Sequence, residues 1–181
     1  MDNMVIMAYS ITVGHKGGEV MNLLEEKSIS IAKQDFPNIV RQAAKGHETI
    51  TCNFKSSSRE KVSIISTEIY EEILDRGYKF NPTIEEDPDN KGYTISIDEL
   101  LIHGDGPTVI DALSDLAENL MDYAQDYLTR VDFFRQIENR KHHYPYLRRV
   151  AKLSDIYKVM EVIAECHTSL QQAILNQSQK G

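Results

Sequence analysis

The sequence predicts an α+β protein in two parts, and three observations carry that reading. Short strand-like runs alternate with amphipathic helical stretches over residues 28–80. A stretch rich in proline and acid, residues 81–92, then interrupts the apolar pattern and is expected to be a linker. Beyond it one alternating run is followed by three helical stretches, which predicts a small strand pair with helices over residues 93–175. With 181 residues and 41% hydrophobic content, the chain is long enough for one large domain or two small ones with a real core.

In the first part, Ser28-Ile29-Ser30 reads as a short polar strand leading into a helical run over residues 32–45. Pro37 cannot donate an N–H to the preceding turn and pushes Phe36 away from helical geometry. A short helix over 32–35 and a second one with Pro37 at its first position are therefore expected. Ile39, Val40, Ala43 and Ala44 give the second helix its buried stripe, and Lys45-Gly46 supplies a cationic last turn and a terminating glycine. Strands follow over 48–54 and 61–65, and Ser66 opens a helix carrying Ile69, Tyr70, Ile73 and Leu74.

After the linker, Tyr93, Ile95 and Ile97 alternate with Thr94, Ser96 and Asp98, the pattern of a half-buried strand. Residues 102–106 are expected to turn the chain. Thr108 is a good N-cap with Asp111 three residues on, opening a helix that reaches about Leu128. Val109, Leu113, Leu116, Leu120, Ala124 and Tyr127 share one side of that helix. Helical stretches over 132–141 and 154–175 flank a turn-like His142-His143-Tyr144-Pro145-Tyr146, and the polar tail 176–181 is expected to fray.

The formal charge of −8 argues on its own against a nucleic-acid binder, but the charge is blocked along the chain. Residues 28–61 carry six Lys or Arg against three acids, a net +3; residues 68–126 carry three against 16, a net −13; residues 130–161 carry eight against four, a net +4. Such blocks fit separate surfaces for separate partners, or segments that neutralise one another. Cys52 and Cys166 form no C-x-x-C unit, so reduced thiols in a cytoplasm are expected. No apolar stretch approaches the roughly 18 residues of a membrane span, and no basic flank marks a signal peptide. Lys16-Gly17-Gly18-Glu19-Val20-Met21 can be encoded as AAA GGA GGT GAA GTA ATG, a ribosome-binding site before a start codon. Residues 1–27 are expected to be an N-terminal extension, either genuine or untranslated before Met21, which is then the start of the functional chain.

The order and length of the elements in "SISIAKQDFPNIVRQAAKGHETITCNFKSSSREKVSIISTEIYEEILD" resemble the prevent-host-death (Phd/YefM) antitoxin family. "YTISIDELLIHGDGPTVIDALSDLAENL" is similar, less closely, to the strand, turn and helix of a HicB-like antitoxin domain. The first resemblance implies a DNA-binding and dimerising domain over residues 28–80, in which the sheets of two protomers join and the N-terminal strand and first helix approach DNA. It places Ser28, Ser30, Lys33 and Gln34 at the DNA-facing start, with Lys55, Arg59 and Lys61 flanking the Ser56-Ser57-Ser58 loop. Hydroxyl and ammonium groups hold phosphates, and Gln34 has the chemistry to read an adenine edge. A solvated hairpin turn is the plain alternative for residues 55–61.

Asp111, Asp115, Glu118, Asp122 and Asp126 fall in one narrow stripe on the long helix, opposite Leu113, Leu116 and Leu120. Each like-charge pair at such spacing costs roughly 0.2–0.5 kcal/mol unless a cation lies on it. The cation could come from the chain's own Arg135, Arg140, Lys141, Arg148 and Arg149, or from a toxin of the RelE type; a solvated face is the third reading. His142, His143, His167 and Cys166 lack the spacing of a zinc site, and His142-His143 beside Tyr144-Pro145-Tyr146 reads as a polar corner packed with aromatics. No catalytic motif or cofactor loop is present, and Asp98-Glu99 point to opposite faces of a strand. The expected function is a bacterial antitoxin, not an enzyme, that binds a RelE-type ribonuclease toxin and represses its own operator DNA as a homodimer, with no cofactor, metal or membrane. A stand-alone repressor and an enzyme of nucleic-acid metabolism are the alternatives.

Overall fold

Ser28 ends a strand and starts a helix. In the computed structural model, which describes residues 24–53, 60–88 and 91–179, β1 is Glu25–Ser28 and α1 is Ile29–Gln34. The Ser28 hydroxyl oxygen accepts the Ile31 N–H at 3.3 Å, so the serine caps α1 and Ile29 and Ser30 are helical. The expected strand over 28–30 is therefore displaced three residues toward the N-terminus. Asp35 separates α1 from α2, Phe36–Ala43, and Pro37 sits in the first turn of α2 as its chemistry requires. Gly46, with φ +95°, ends the helical region.

The chain divides into two units between Tyr70 and Glu71. In the first, β1 runs parallel to β2, Thr49–Cys52, and β2 antiparallel to β3, Lys61–Ile64, leaving β1 and β3 as edges. Among its described residues few are buried: Ala32, Ile39, Ala43, Thr49 and Cys52. Val40 and Ala44, expected in the buried stripe, are exposed. Ser66 caps α3, Thr67–Gly77, by accepting the Ile69 N–H at 3.2 Å. This helix crosses the division between the units.

The second unit carries an antiparallel sheet, β4 Thr83–Asp87, β5 Gly92–Ile97 and β6 Ile102–Gly106, in that spatial order. The expected linker is thus largely a strand. An edge strand needs only backbone pairing, and its charged Glu85 and Glu86 discourage further strands from joining. Its flanking prolines, Pro82 and Pro88, lie just outside the paired residues, so composition concealed it. The expected turn over 102–106 is also a strand, and the strand pair becomes a three-stranded sheet.

Glycines in β6 misled because they are there for packing. A Cβ on Gly104 would overlap the Leu116 nitrogen and lie 2.6 Å from the Ala112 carbonyl oxygen, and one on Gly106 would lie 2.7 Å from Asp111. The helix α4, Val109–Thr129, therefore rests directly on the β6 backbone. Its Ala112, Leu113, Leu116, Ala117, Leu120, Ala124 and Tyr127 are buried, and Ile95 and Ile97 of β5 join the same core. Thr108 caps α4 as expected, accepting the Asp111 N–H at 3.3 Å.

Beyond α4 come α5 Val131–Phe134, α6 Tyr144–Val150, α7 Ile156–Ala164 and α8 Thr168–Ser178. The helix expected over 154–175 is two helices. Between them the His167 ring Nδ1 accepts the Leu170 N–H at 3.4 Å, and Glu165 turns its carboxylate to Arg149. Arg149, with a side chain only 5% exposed, donates to both Glu165 oxygens at 2.6 and 2.8 Å, to Asp75 at 3.1 Å and to the Tyr78 carbonyl at 3.2 Å. A single guanidinium thus ties α6 to the end of α7 and to the segment at residues 75–78.

Candidate functional site

The first cluster is built on α1. Ser30, Lys33 and Gln34 lie three and four residues apart, hence on one helix face, and all three are exposed. Ser28 joins them through a 3.0 Å contact between its hydroxyl and that of Ser30. Lys61, on β3, falls on the same cross-strand row as Ser28, since both register with Cys52. Two strand spacings put their backbones about 10 Å apart. Lys55 and Arg59 lie outside the described residues.

The charges in this cluster are not equivalent. Lys61 Nζ pairs with Glu26 at 2.9 Å, and Lys27 Nζ with Asp35 at 2.9 Å. The hydrogen bond from Lys27 holds the Asp35 carboxyl below the usual aspartate range against the opposing effect of burial, with Asn38 and Arg41 adding to it. Lys33 has no acidic partner among the described residues, which leaves its ammonium available to an anion. Beside it, Ile29, Ala32, Phe36 and Thr51 help line an apolar depression of about 400 Å3.

The second cluster is the acidic stripe of α4, and the structure divides it. Asp111 accepts the Thr108 hydroxyl at 2.6 Å. Asp115 accepts the Asp105 N–H at 2.9 Å and the Asn119 amide at 3.3 Å, so it fastens α4 to β6. Asp126 forms an ion pair with Arg130. Glu118 and Asp122, both exposed and four residues apart, make no side-chain hydrogen bond or ion pair among the described residues. Like charges at that spacing cost roughly 0.2–0.5 kcal/mol.

Four of the five cations of the chain's own basic segment, all but the exposed Arg135, are engaged elsewhere. Arg149 is in the buried network, Lys141 pairs with Glu138 at 2.6 Å, Arg148 approaches Glu71 at 4.0 Å, and the Arg140 guanidinium lies 5.4 Å from the Tyr123 ring centre. His143 is the polar corner the sequence predicts. Its ring accepts or donates a 2.7 Å hydrogen bond with the Tyr123 hydroxyl, lies edge-on to Tyr123, and stacks at 25° on Tyr127. Burial, and then the nearby Arg140 charge, push the His143 pKa below its ordinary value. Glu99, one of the acids weighed for a nuclease, accepts the Asn81 amide at 2.8 Å, while Asp98 is exposed. Among the described residues no group of three His, Cys, Asp or Glu side chains is placed to hold a metal ion, and no helix is long and apolar enough to cross a membrane. Both cysteines are free.

Sequence reasoning missed the glycines that seat α4 and the division of its acids into structural and unpaired ones. The His103-Gly104-Asp105-Gly106 spacing held the first signal: two glycines two residues apart face one side of a strand.

The fold is a small α+β arrangement with two three-stranded sheets among the described residues. It is similar to a crystal structure from Syntrophomonas wolfei subsp. wolfei, described as the antitoxin part of a toxin/antitoxin system, with a TM-score of 0.63 and 22% identity over 75% of this chain and 93% of that one. The family model for PHD_like, antitoxin of toxin-antitoxin, RelE / RelB, TA system, matches residues 21–167. The chain belongs to this antitoxin family. No curated protein matches it.

Proposed function

We propose that this antitoxin neutralises a RelE-type ribonuclease toxin by direct binding and represses its own operon as a DNA-binding homodimer in the bacterial cytoplasm. The family match over residues 21–167 carries the reading, because it spans both units and its description pairs the antitoxin with RelE and RelB. In this reading the first unit binds DNA through Ser28, Ser30, Lys33, Gln34 and Lys61, supported by the exposed polar face of α1 and by Lys33, which has no acidic partner among the described residues. Dimerisation is supported by the apolar surface the first unit leaves open: Ile29, Phe36, Val40 and Val62 are each 46–61% exposed. Monomeric proteins rarely leave such side chains clustered in water. The second unit contacts the toxin through the unpaired acids of α4.

The test is growth rescue combined with sedimentation. Coexpression of the chain is expected to relieve growth arrest by the toxin encoded in the adjoining reading frame. Phe36→Glu with Val62→Glu is expected to convert the dimer to a monomer at micromolar concentration and to abolish operator retardation. A wild-type chain that is monomeric, or that leaves the toxin active, would refute the corresponding half of the reading.

A further inference from the structure

The second unit carries an open groove along α4 that neither its sheet nor its core uses. Two adjoining clefts, of about 310 and 550 Å3, share Met121 and Asp122 in their walls. Met121, Leu153 and Ile156 are half-buried on the core, and their outward parts give the clefts an apolar floor. The rim is anionic. Glu118 and Asp122 stand exposed on α4, and Asp155 stands exposed at the start of α7, where one carboxylate oxygen accepts the Tyr157 N–H at 2.9 Å. No Lys or Arg pairs with these three acids among the described residues.

We propose that this groove seats an amphipathic segment of the cognate toxin, with apolar side chains on Met121, Leu153 and Ile156 and Lys or Arg side chains over Glu118, Asp122 and Asp155. The proposal rests on the antitoxin reading above and adds the place and the chemistry of the contact. Clefts of roughly 300–1,000 Å3 are the size that takes up ligand groups, and two of them side by side along a helix accept successive anchors of one segment, the arrangement of helix-in-groove recognition. Charge complementarity selects the occupant. Three carboxylates around an apolar floor penalise an acidic or neutral segment, whereas cations on the segment relieve the repulsion between Glu118 and Asp122 and steer the encounter. The apolar floor supplies the anchor points, which in most interfaces hold the greater share of the affinity.

The purified toxin from the adjoining reading frame, titrated calorimetrically into the full chain, tests this. Ala151→Trp with Ser154→Trp places bulk in both clefts from exposed wall positions, and is expected to raise Kd at least tenfold with the thermal midpoint kept. If that pair lowers the midpoint, Ser154→Trp alone is used. Glu118→Lys with Asp122→Lys is expected to weaken binding at least tenfold and to remove most of its salt dependence. Wild-type affinity in the tryptophan variant overturns the groove, whatever the charge variant does, and leaves the antitoxin reading in place because the wild-type chain still binds. Absence of binding by the wild-type chain overturns that reading and the groove together.

Discussion

The two units solve the burial problem differently. The second wraps a 21-residue helix in a three-stranded sheet and four further helices, and closes a core with Phe80, Ile95, Ile97, Leu113, Leu116 and Leu120 all at 0% exposure. The first has strands of four residues and helices of six and eight, and leaves Ile29, Phe36, Val40 and Val62 largely in water. A unit that small exposes a large share of its surface and is marginal by itself. The difference teaches that a long helix on a three-stranded sheet closes a core by itself, whereas strands of four residues with two short helices leave Ile29, Phe36, Val40 and Val62 46–61% exposed.

The sharpest way to break that contrast is to destroy the second core without touching an apolar side chain. Gly104→Ala places a methyl group into the backbone of α4 at Leu116 and Ala112, where no flexible side chain can move aside. A cost on the order of 4 kcal/mol is expected, read as loss of the near-ultraviolet circular dichroism of the Tyr123–Tyr127 cluster. Gly77→Ala, which would meet nothing within 4 Å, is the control and is expected to change little.

The next largest effect is expected at Arg149. Arg149→Ala leaves Glu165 without its principal partner and Asp75 with Lys152 alone, and is expected to cost about 3 kcal/mol; Arg149→Lys keeps the charge but loses the fork to Glu165 and falls between. Burial acts to raise the Asp75 pKa, but hydrogen bonds from Lys152 and Arg149 outweigh it and the net direction is down. A carboxylate with a lowered folded pKa contributes stability above the unfolded value and loses it as pH falls through the folded one. The wild-type chain is therefore expected to lose this contribution below the ordinary aspartate value of 3.8, and Arg149→Ala is expected to flatten that acid limb in urea titrations at stepped pH.

His143 gives a smaller effect in a different window. Its lowered pKa means that the unfolded chain takes up the proton first as pH drops below the ordinary 6.5. Stability is expected to be full above that pH and to fall beneath it, with a slope of at most about 1.4 kcal/mol per pH unit. His143→Gln is expected to remove the slope between pH 6.5 and the carboxylate range. A slope that persists in the variant would assign the titration to another group.

What the sequence revealed follows the same division. The long helix, its Thr108 cap and its apolar side were legible because period, cap and length agree. So were the break before Pro37 and the stop at Gly46, which are backbone chemistry. β4 was not legible, because an edge strand can be acidic on both faces and still pair through its backbone. β6 was not, because the glycines that admit α4 are also turn residues. At the candidate site the residue types were legible and the pairing was not. Nothing in the spacing of Asp111, Asp115, Glu118, Asp122 and Asp126 separates the three with local hydrogen-bond or ion-pair partners from the two without any among the described residues. For that reason Asp115→Lys is expected to damage the α4–β6 junction, and Glu118 and Asp122 are the positions that test toxin contact.

The smallest expected effect concerns the first unit alone, and it ranks two lysines that sequence could not rank. Each phosphate contact neutralised by a lysine releases condensed counterions, so losing one reduces the slope of log K against log salt by about 1. Lys33 is exposed with no acidic partner among the described residues, whereas Lys61 is already balanced by Glu26 at 2.9 Å and must exchange that partner for phosphate. Lys33→Ala is therefore expected to weaken operator binding and reduce the slope by about 1, with no loss of stability, because an exposed helix position tolerates alanine well. Lys61→Ala is expected to change the slope by less. Gel-retardation titrations at several salt concentrations measure both. If Lys61→Ala produces the full change and Lys33→Ala none, the DNA surface belongs to β3 and its neighbouring loop, and the exposed face of α1 is released for another role.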